Sequence, residues 1–426
     1  MKTNPCFLLA YLAPLLCAAH ELPELIIPQG VGVNIHFVTG HEADLYRIAA
    51  AGFRFIRMDF SWADTEAEKA KYRWSEYEQL LSNLDRRGIR AVFILDYSNP
   101  LYEQQVTSTN PLTHQSHQTT ASPQHAESVA AYAKWAAAAA EHFHGRHVIW
   151  ELWNEPNIEF WSPKPDVRQY TTMALVASKA IRAADPHATL VGPATSTFPW
   201  EFLETFFKSG ILEHLDGISV HPYREPRRSP ETATADYERL RSLIERYAPA
   251  EKKYIPILSG EWGYSSWERG VSLDTQAAFL VRQQLNNLLN QVPLSIWYDW
   301  KNDGDDPKEN EHNFGTVTPD LKPKPAYAAV KALTQELNGY RIAQRQRLSS
   351  DRDYLLICTN TAGGRKLVAW TLGEPHEINV DVPAGRTVGG TSISGAKIEL
   401  KVADNQCRVS LSSAPIYLSF DSAEPK

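Results

Sequence analysis

Two carboxylates that follow apolar runs are the residues of this sequence best suited to chemistry. Glu155 comes after the run 148–153, and Glu261 follows the run 255–260. A pair of carboxyl groups can break a glycosidic bond, because one protonates the leaving oxygen while the other attacks the sugar carbon or activates a water molecule. The hypothesis requires a fold that brings these two distant residues together.

Strand-like and helix-like segments alternate from about residue 30 to 338, which predicts repeated βα units and parallel strands. Helical periodicity is clearest in 75–87, 126–143, 167–184, 231–247 and 274–290, and a last helix is expected over 323–337. Eight strand-like runs are found: 32–35, 53–57, 90–95, 148–152, 189–192, 217–220, 256–259 and 294–297. Eight units predict a (β/α)8 TIM barrel. A doubly wound sheet is the alternative, but the strand count and the polar residues at the strand ends favour the barrel.

Residues just past the carboxyl ends of barrel strands face the substrate. Glu155 follows the fourth predicted strand and Glu261 the seventh, so both are expected at this end. The polar segments 98–124 and 301–318 follow the third and eighth strands, and we expect them to border the same cleft.

The sequence after residue 338 has short alternating runs separated by glycine pairs, which predicts a small antiparallel β-sandwich. We therefore divide the chain into a signal peptide (1–19), an extended segment (20–29), the barrel (30–338) and the sandwich (339–426). The proline-rich piece 22–28 is expected to pack onto the sandwich.

The first residues predict export. Lys2 precedes the apolar run 7–16, and the small residues 17–19 follow it, as in a signal peptide cut near Ala19. The run is too short to span a membrane, so no stable membrane insertion is expected. The predicted location is secreted or periplasmic. A lipid anchor on Cys17 and an uncleaved N-terminal anchor are the alternatives.

Composition narrows the class of partner. The 426 residues carry a formal net charge of −7 without a basic patch, which argues against nucleic acid. The 12 Trp, 18 Tyr and 15 Phe supply rings that suit the apolar faces of sugars, although most are expected in the core. Nothing in the pattern specifies an oligomeric state.

No metal or other cofactor is predicted. His142, His144 and His147 lie at the end of an Ala-rich helix, where cationic groups complement the helix dipole. The acidic segment 303–311 lacks regular calcium-ligand spacing and is interpreted as a solvated rim of the cleft. Cys358 and Cys407 lie in strand-like runs, and in an exported protein they can form a disulfide or remain two buried thiols; we slightly favour the disulfide.

The motifs Trp153-Asn154-Glu155-Pro156-Asn157 and Gly260-Glu261-Trp262 resemble those of the retaining glycoside hydrolases of clan A, most closely family 39 and family 5-like members. The resemblance covers most of residues 30–338. It implies that Glu155 is the general acid/base, that Glu261 is the nucleophile and that Asn154 contacts the sugar 2-hydroxyl.

Further positions match the clan pattern. Arg57 on the second strand corresponds to an arginine near the nucleophile, and His221-Pro222-Tyr223 resembles a His-x-Tyr motif. The resemblance implies that His221 borders the site and that the Tyr223 hydroxyl orients the nucleophile. A surface ion pair for Arg57 and a structural role for His221 are the alternatives.

Three aromatic positions complete the candidate substrate-binding set. Trp297 on the eighth strand resembles the sugar platform of the clan, with a barrel-core tryptophan as an almost equal alternative. His36 and Tyr97 follow the first and third strands. Family 5 members often have histidine at the position of Tyr97, so this chain departs from them in its sugar contacts.

We therefore predict a retaining β-glycosidase that cleaves poly- or oligosaccharides. Glu155 must be protonated to act as an acid, and we expect the like charge of Glu261 to raise its pKa. A carbohydrate-binding protein that has lost turnover is the alternative, against which the presence of Glu155, Glu261 and Asn154 argues.

Overall fold

The computed structural model describes residues 22–109, 115–383 and 386–422. The predicted signal peptide therefore lies outside the described residues. Strands β1 to β10 of this part are β1 Val31–Asn34, β2 Phe55–Ser61, β3 Arg90–Asp96, β4 Gln105–Thr109, β5 Ser116–Thr120, β6 Ile149–Leu152, β7 Thr189–Ser196, β8 Gly217–His221, β9 Ile257–Trp262 and β10 Ser295–Trp297.

Eight of these strands close into a parallel barrel in the order β1-β10-β9-β8-β7-β6-β3-β2. The closed order confirms the predicted TIM barrel and excludes the doubly wound sheet. The other two strands, β4 and β5, form an antiparallel hairpin inside the polar segment 98–124. Part of this segment is therefore a β-hairpin, a regular structure that its polar composition did not predict.

Helices surround the barrel, and six of them (α3, α4, α5, α7, α8 and α9 in the list that follows) lie where the periodicity predicts. Their bounds are α1 Glu42–Ala50, α2 Trp62–Thr65, α3 Ser75–Asp85, α4 Ala126–His142, α5 Val167–Ala184, α6 Trp200–Lys208, α7 Ala233–Tyr247, α8 Leu273–Leu289 and α9 Pro325–Glu336. Short 3₁₀ turns lie at Ile211–Glu213, Pro230–Thr232, Ala250–Lys252 and Glu311–Asn313. Side-chain caps begin α5 at Asp166 and α8 at Ser272. None of the described helices is long and apolar enough to cross a bilayer.

The barrel interior changes from apolar to polar along the strands. Near the amino ends it is filled by an apolar layer of Phe55, Val92, Ile149, Val191, Leu258, Leu294 and Ile296. Two residues further along β2 and β6, the side chains that point the same way are Arg57 and Glu151. The strands thus place charged groups at the carboxyl end of the barrel.

The segment before β1 closes the other end of the barrel. Leu22 packs against the apolar layer, and Ile27 exchanges backbone hydrogen bonds with Gly339 and Tyr340. We expected this piece to pack onto the sandwich. It covers the barrel bottom, and through Gly339 and Tyr340 it also contacts the start of the C-terminal domain.

The C-terminal strands form two antiparallel sheets. They are β11 Arg341–Gln346, β12 Asp353–Thr359, β13 Arg365–Thr371, β14 His376–Asp381, β15 Arg386–Thr391, β16 Lys397–Ile398, β17 Val402–Ala403, β18 Gln406–Leu411 and β19 Ile416–Ser422. The sheet orders are β11-β12-β13-β19-β15-β16 and β14-β18-β17. This confirms the predicted sandwich, and the proposed domain boundary at 338/339 falls between α9 and β11.

Cys358 and Cys407 are both buried and free, so the favoured disulfide is wrong. Successive side chains of a strand point to opposite faces. On β12, Leu355 and Ile357 point into the core between the two sheets, which Cys407 also lines. Cys358 points the other way and joins the core shared with the barrel.

A buried ion pair of the barrel is hydrogen-bonded to the sandwich. Arg282 on α8 donates to both oxygens of Glu231, at 2.8 and 2.7 Å. Trp370 on β13 donates to the same carboxylate at 2.9 Å, and Arg282 also donates to the Ser413 carbonyl. The two domains therefore share one buried polar cluster.

Candidate active site

Arg57 is the centre of the site. It extends from β2 into the barrel and is 1% exposed. It donates through Nε to Glu151 Oε2 at 2.6 Å, through Nη1 to Glu261 Oε2 at 2.6 Å and through Nη2 to Asn154 Oδ1 at 2.9 Å. Burial opposes the charge of Arg57, but the two carboxylates outweigh it and raise its pKa. One guanidinium thus holds three residues from the ends of β6 and β9 around it.

Glu261 lies near the end of β9, and its side chain is 13% exposed. The Tyr223 hydroxyl donates to Oε1 at 2.7 Å, while Arg57 donates to Oε2. Hydrogen bonds to both oxygens fix the orientation of the carboxylate. Glu261 is therefore a positioned, partly exposed carboxylate that can attack an electrophilic carbon.

Glu155 follows β6 with a backbone φ of +45°, and its N–H donates to the Ala194 carbonyl on β7 at 2.9 Å. Positive φ is uncommon for a residue with a side chain and often marks functional sites. Burial raises the pKa of Glu155 to about 7, against the opposing charge of Arg57. We expected the like charge of Glu261 to supply this shift, whereas burial is its largest cause.

His221 connects Arg57 to Glu155. Arg57 Nη2 lies 3.2 Å from His221 Nε2, and His221 Nδ1 lies 2.8 Å from Glu155 Oε1. Because a guanidinium can only donate, Nε2 accepts and the ring proton is on Nδ1. Burial lowers the pKa of His221 to about 4, so the ring is neutral near pH 7. A neutral His221 therefore donates to Glu155.

The fold brings the two predicted carboxylates together. One carboxylate oxygen of Glu155, one of Glu261 and one ring nitrogen of His221 lie within 4.8 Å of one another. The chemistry of this group does not suit a metal ion, because both nitrogens of His221 are already engaged. The arrangement instead provides one buried acid and one positioned carboxylate at a shared opening.

His36, Asp299 and Asp303 form a second group whose ligand atoms lie within 4.8 Å of one another. His36 Nε2 is 3.6 Å from Asp299 Oδ2, and burial raises the pKa of Asp299 to about 7. Imidazole and carboxylate ligands are compatible with a divalent cation, and these polar groups equally suit sugar hydroxyls. The side chain of His36 is 45% exposed at the mouth of the barrel.

The histidines at the end of α4 do not gather into a metal site. His142 pairs with Glu78 at 2.7 Å, while His144 pairs with Asp185 at 3.1 Å. The two imidazoles thus serve different carboxylates.

Asn154 and Tyr97 form a polar edge of the cleft. Asn154 Nδ2 donates to the Tyr97 hydroxyl at 2.7 Å, while its Oδ1 accepts from Arg57. The Asn154 amide retains a second N–H, and the Tyr97 hydroxyl retains its own proton. Both groups can therefore donate to a substrate.

Trp297 is fully buried in the main core, so its ring offers no face to a sugar. Of the two interpretations of this residue, the structure favours the barrel-core tryptophan. Its neighbour Tyr298 instead reaches the cleft, edge-on to His36 at 5.6 Å and to Phe314 at 5.2 Å between ring centroids. The neighbours of a strand residue point the opposite way, which explains why the next position is the aromatic one in the site.

Sequence reasoning missed Glu151, Asn34 and Tyr298. Glu151 accepts hydrogen bonds from Arg57 and Ser219, and Asn34 accepts from Arg57 at 3.3 Å. A signal for Glu151 was available, since a charged residue within an apolar barrel strand must point to a polar partner. Space for this carboxylate requires Gly260, because a Cβ there would lie 2.8 Å from Glu151 Oε1.

A TIM barrel with two close carboxylates at the carboxyl ends of its strands defines the class of glycoside hydrolase barrels. A sequence model of the family Cellulase (glycosyl hydrolase family 5) matches residues 28–304. The chain belongs to this family, which confirms the predicted relationship to clan A.

Two curated relatives are β-xylosidases. That of Caldicellulosiruptor saccharolyticus is 30% identical over 216 residues, which are 46% of this chain and 43% of the relative. That of Geobacillus stearothermophilus is 26% identical over 253 residues, 51% of this chain and 50% of the relative. The chain thus matches about half the length of these relatives.

Solved structures resemble the whole described architecture. A family 39 glycoside hydrolase from Bacteroides cellulosilyticus WH2 has a TM-score of 0.78 and 26% identity, covering 94% of this chain and 83% of that one. A family 39 β-xylosidase from Caulobacter crescentus has a TM-score of 0.67 and 17% identity, covering 94% and 97%. The second likeness shows the fold alone.

Proposed function

We propose that this protein hydrolyses β-glycosidic bonds with retention of configuration. The observation that carries the proposal is the spacing of Glu155 and Glu261, since one carboxylate oxygen of each lies within 4.8 Å of the other. Retaining enzymes hold their two carboxyl groups about 5–5.5 Å apart, whereas inverting enzymes leave roughly 6.5–9.5 Å for a water molecule. The short spacing supports direct attack by a carboxylate.

The two carboxyl groups have environments suited to different roles. Glu155 is buried and has a raised pKa, so it can hold a proton near neutral pH and give it to the leaving oxygen. Glu261 is held by Arg57 and Tyr223 and can attack the anomeric carbon as a carboxylate. The C–O bond to the leaving group breaks as the ester bond to Glu261 forms.

The second displacement uses the same groups in reverse. Glu155, now deprotonated, takes a proton from water, and the resulting hydroxide attacks the anomeric carbon as its bond to Glu261 breaks. Glu155 regains its proton and Glu261 its charge. Asn154 retains an N–H that can donate to the sugar 2-hydroxyl during both steps.

The substrate we propose is a β-linked oligo- or polysaccharide of neutral sugars. The names of the β-xylosidase relatives make β-xylosides the first substrates to test. Polar groups at the mouth, among them the His36 imidazole and the Tyr97 hydroxyl, suit hydrogen bonds to sugar hydroxyls. We further propose that the protein acts outside the cytoplasm, on the strength of its N-terminal sequence pattern; N-terminal sequencing of the mature protein tests this point.

The deciding experiment follows an aryl β-xyloside by NMR and compares single carboxylate variants. We expect β-xylose as the first product, before mutarotation. Glu261→Ala should lose turnover of every substrate. Glu155→Ala should keep the first step for good leaving groups, which need little protonation. Azide should then give the β-azide with Glu155→Ala and the α-azide with Glu261→Ala.

A matched control is Glu238→Ala, which removes an exposed carboxylate on the outside of the barrel and should leave activity unchanged. An α-configured first product from the wild type would refute retention. Binding of oligosaccharides without turnover of any glycoside by the wild type would favour the non-catalytic alternative.

A further inference from the structure

Glu151 is a buried carboxylate of the barrel interior. It lies on β6 and is 1% exposed. Arg57 Nε donates to its Oε2 at 2.6 Å, and the Ser219 hydroxyl on β8 donates to its Oε1. A donor on each oxygen fixes the side chain and favours its charged form. Glu151 is thus a positioned negative charge that is shielded from solvent.

The charge of Glu151 is not needed to pair Arg57. Glu261 already accepts from Nη1 of Arg57 at 2.6 Å. Burying a second carboxylate beside the same guanidinium costs solvation free energy. A neutral glutamine at position 151 could accept from Arg57 and donate to the Ser219 oxygen, so hydrogen bonding alone does not require the charge. The negative charge itself is therefore the feature that requires an explanation.

The strand end that carries Glu261 packs directly against Glu151 and Ser219. Gly260 immediately precedes Glu261 on β9. A Cβ at Gly260 would lie 2.2 Å from Ser219 Oγ and 2.8 Å from Glu151 Oε1. The absence of a side chain there lets the buried carboxylate lie within the catalytic cluster.

The groups that face Glu155 determine whether it keeps its proton. The charged and polar ones are Arg57 on β2, Glu151 on β6, Glu159 after β6, Ser196 on β7, His221 on β8 and Glu261 on β9. Burial raises the pKa of Glu155, the charge of Arg57 lowers it, and the charges of Glu159 and Glu151 raise it. Glu151 therefore opposes the effect of Arg57 on the group that has to hold the proton.

We propose that Glu151 is a positioning residue that offsets part of the Arg57 charge, so that Arg57 orients the catalytic groups without drawing the proton from Glu155. This inference rests on the proposed glycosidase function. The same negative charge favours the positive charge that develops on the sugar ring in the oxocarbenium-like transition state. Glu151 thus acts on the reaction through Arg57 and does not touch the substrate.

The test measures kcat/KM against pH with phenyl β-xyloside, whose leaving group needs protonation. The alkaline limb of the wild-type profile should lie near the pKa of Glu155, which is about 7. Glu151→Gln keeps the shape of the side chain and removes its charge. We expect its alkaline limb to move to lower pH by roughly 0.5–1 pH unit, and its maximal kcat/KM to fall roughly tenfold or more.

Glu151→Asp separates charge from shape, because it keeps the charge and loses reach. A role in charge predicts the wild-type alkaline limb and a kcat/KM about tenfold above that of Glu151→Gln. Higher activity of the glutamine variant would show that shape and hydrogen bonding matter instead, and would overturn the proposal. If Glu151→Gln gives no folded protein, a specific activity of Glu151→Asp within about tenfold of the wild type supports the proposal, and a larger loss rejects it.

Glu231→Gln is the matched control, because Glu231 is also buried and paired with an arginine, Arg282, outside the catalytic cluster. It should lower stability and leave the alkaline limb in place. The position of the limb does not depend on the folded fraction, so a destabilised variant is still informative. An unmoved limb in Glu151→Gln would overturn the role of Glu151 and leave the proposed hydrolase intact. No turnover of any aryl β-glycoside by the wild type would reject the proposed function and this role with it.

Discussion

Replacing Glu155 by glutamine should stabilise the fold at alkaline pH while removing the proposed general acid. Burial raises the pKa of Glu155 from an ordinary value of 4.5 to about 7. Between these values the unfolded chain releases the proton that the folded chain keeps, so the folded state loses stability as pH rises through this window. The difference between the two pKa values corresponds to about 3 kcal/mol above pH 7.

Thermal unfolding of the wild type and Glu155→Gln at pH 4 and pH 8.5 measures this effect. With an unfolding entropy of about 2.1 cal/mol/K per residue, 3 kcal/mol corresponds to about 3 °C for a chain of this length. We expect the variant to melt about 3 °C higher at pH 8.5 and within about 1 °C of the wild type at pH 4. Glutamine cannot ionise, so it avoids the cost of a buried charge.

Glu261→Gln is the control carboxylate of the same cleft. Glu261 is paired with Arg57 and bonded by Tyr223, so its removal should lower the melting temperature at pH 8.5. The reasoning is refuted if Glu155→Gln gains no stability at pH 8.5, or gains as much at pH 4. A similar gain for Glu261→Gln would show that loss of any negative charge from the cleft stabilises the fold.

Three further outcomes are expected. Tyr223→Phe removes a hydrogen bond to the charged Glu261 and should lower kcat/KM by roughly tenfold to a hundredfold with little change in melting temperature; steady-state kinetics with unchanged values would exclude the contact from catalysis. Arg282→Ala leaves Glu231 buried without its charge partner and should cost about 3–5 kcal/mol of stability in denaturant titrations, and a cost below about 1 kcal/mol would contradict this assignment. Trp297→Ala removes a core aromatic residue and should cost about 3–5 kcal/mol of stability, while the folded fraction keeps its specific activity. A stable but inactive variant would instead support Trp297 as a sugar-stacking platform.

The barrel could be predicted because its strands are short apolar runs with polar residues after them. All eight predicted strands are present, and the carboxylates after the fourth and seventh meet, as the geometry of a closed barrel requires. Helix α6 was not predicted, although its buried residues Leu203, Phe206 and Phe207 have helical spacing. Hairpin β4–β5 was missed because its Ser, Thr and Gln residues carry no apolar alternation.

Which side chains enter the site depends on the direction in which each one points, and the sequence alone does not show these directions. Trp297 and Tyr298 are adjacent aromatic residues, and the fold decides which one points into the cleft. The same limitation applies to Cys358 and Cys407, whose faces depend on the register of each strand. The raised pKa of Glu155 was predicted in direction, but its cause required the buried position that the coordinates show.

The total charge of the catalytic cluster stays constant through the proposed cycle, and Arg57 lies beside both places where its negative charge resides. Before reaction Arg57 is positive, Glu151 and Glu261 are negative and Glu155 is protonated, so the sum is one negative charge. In the ester intermediate the charge of Glu261 is gone, and Glu155 carries one instead. Arg57 touches Glu261 directly and Glu155 through His221. The Arg57 cation can thus stabilise the negative charge when it lies on Glu261 and when it lies on Glu155. No ion has to enter or leave the barrel between the two steps.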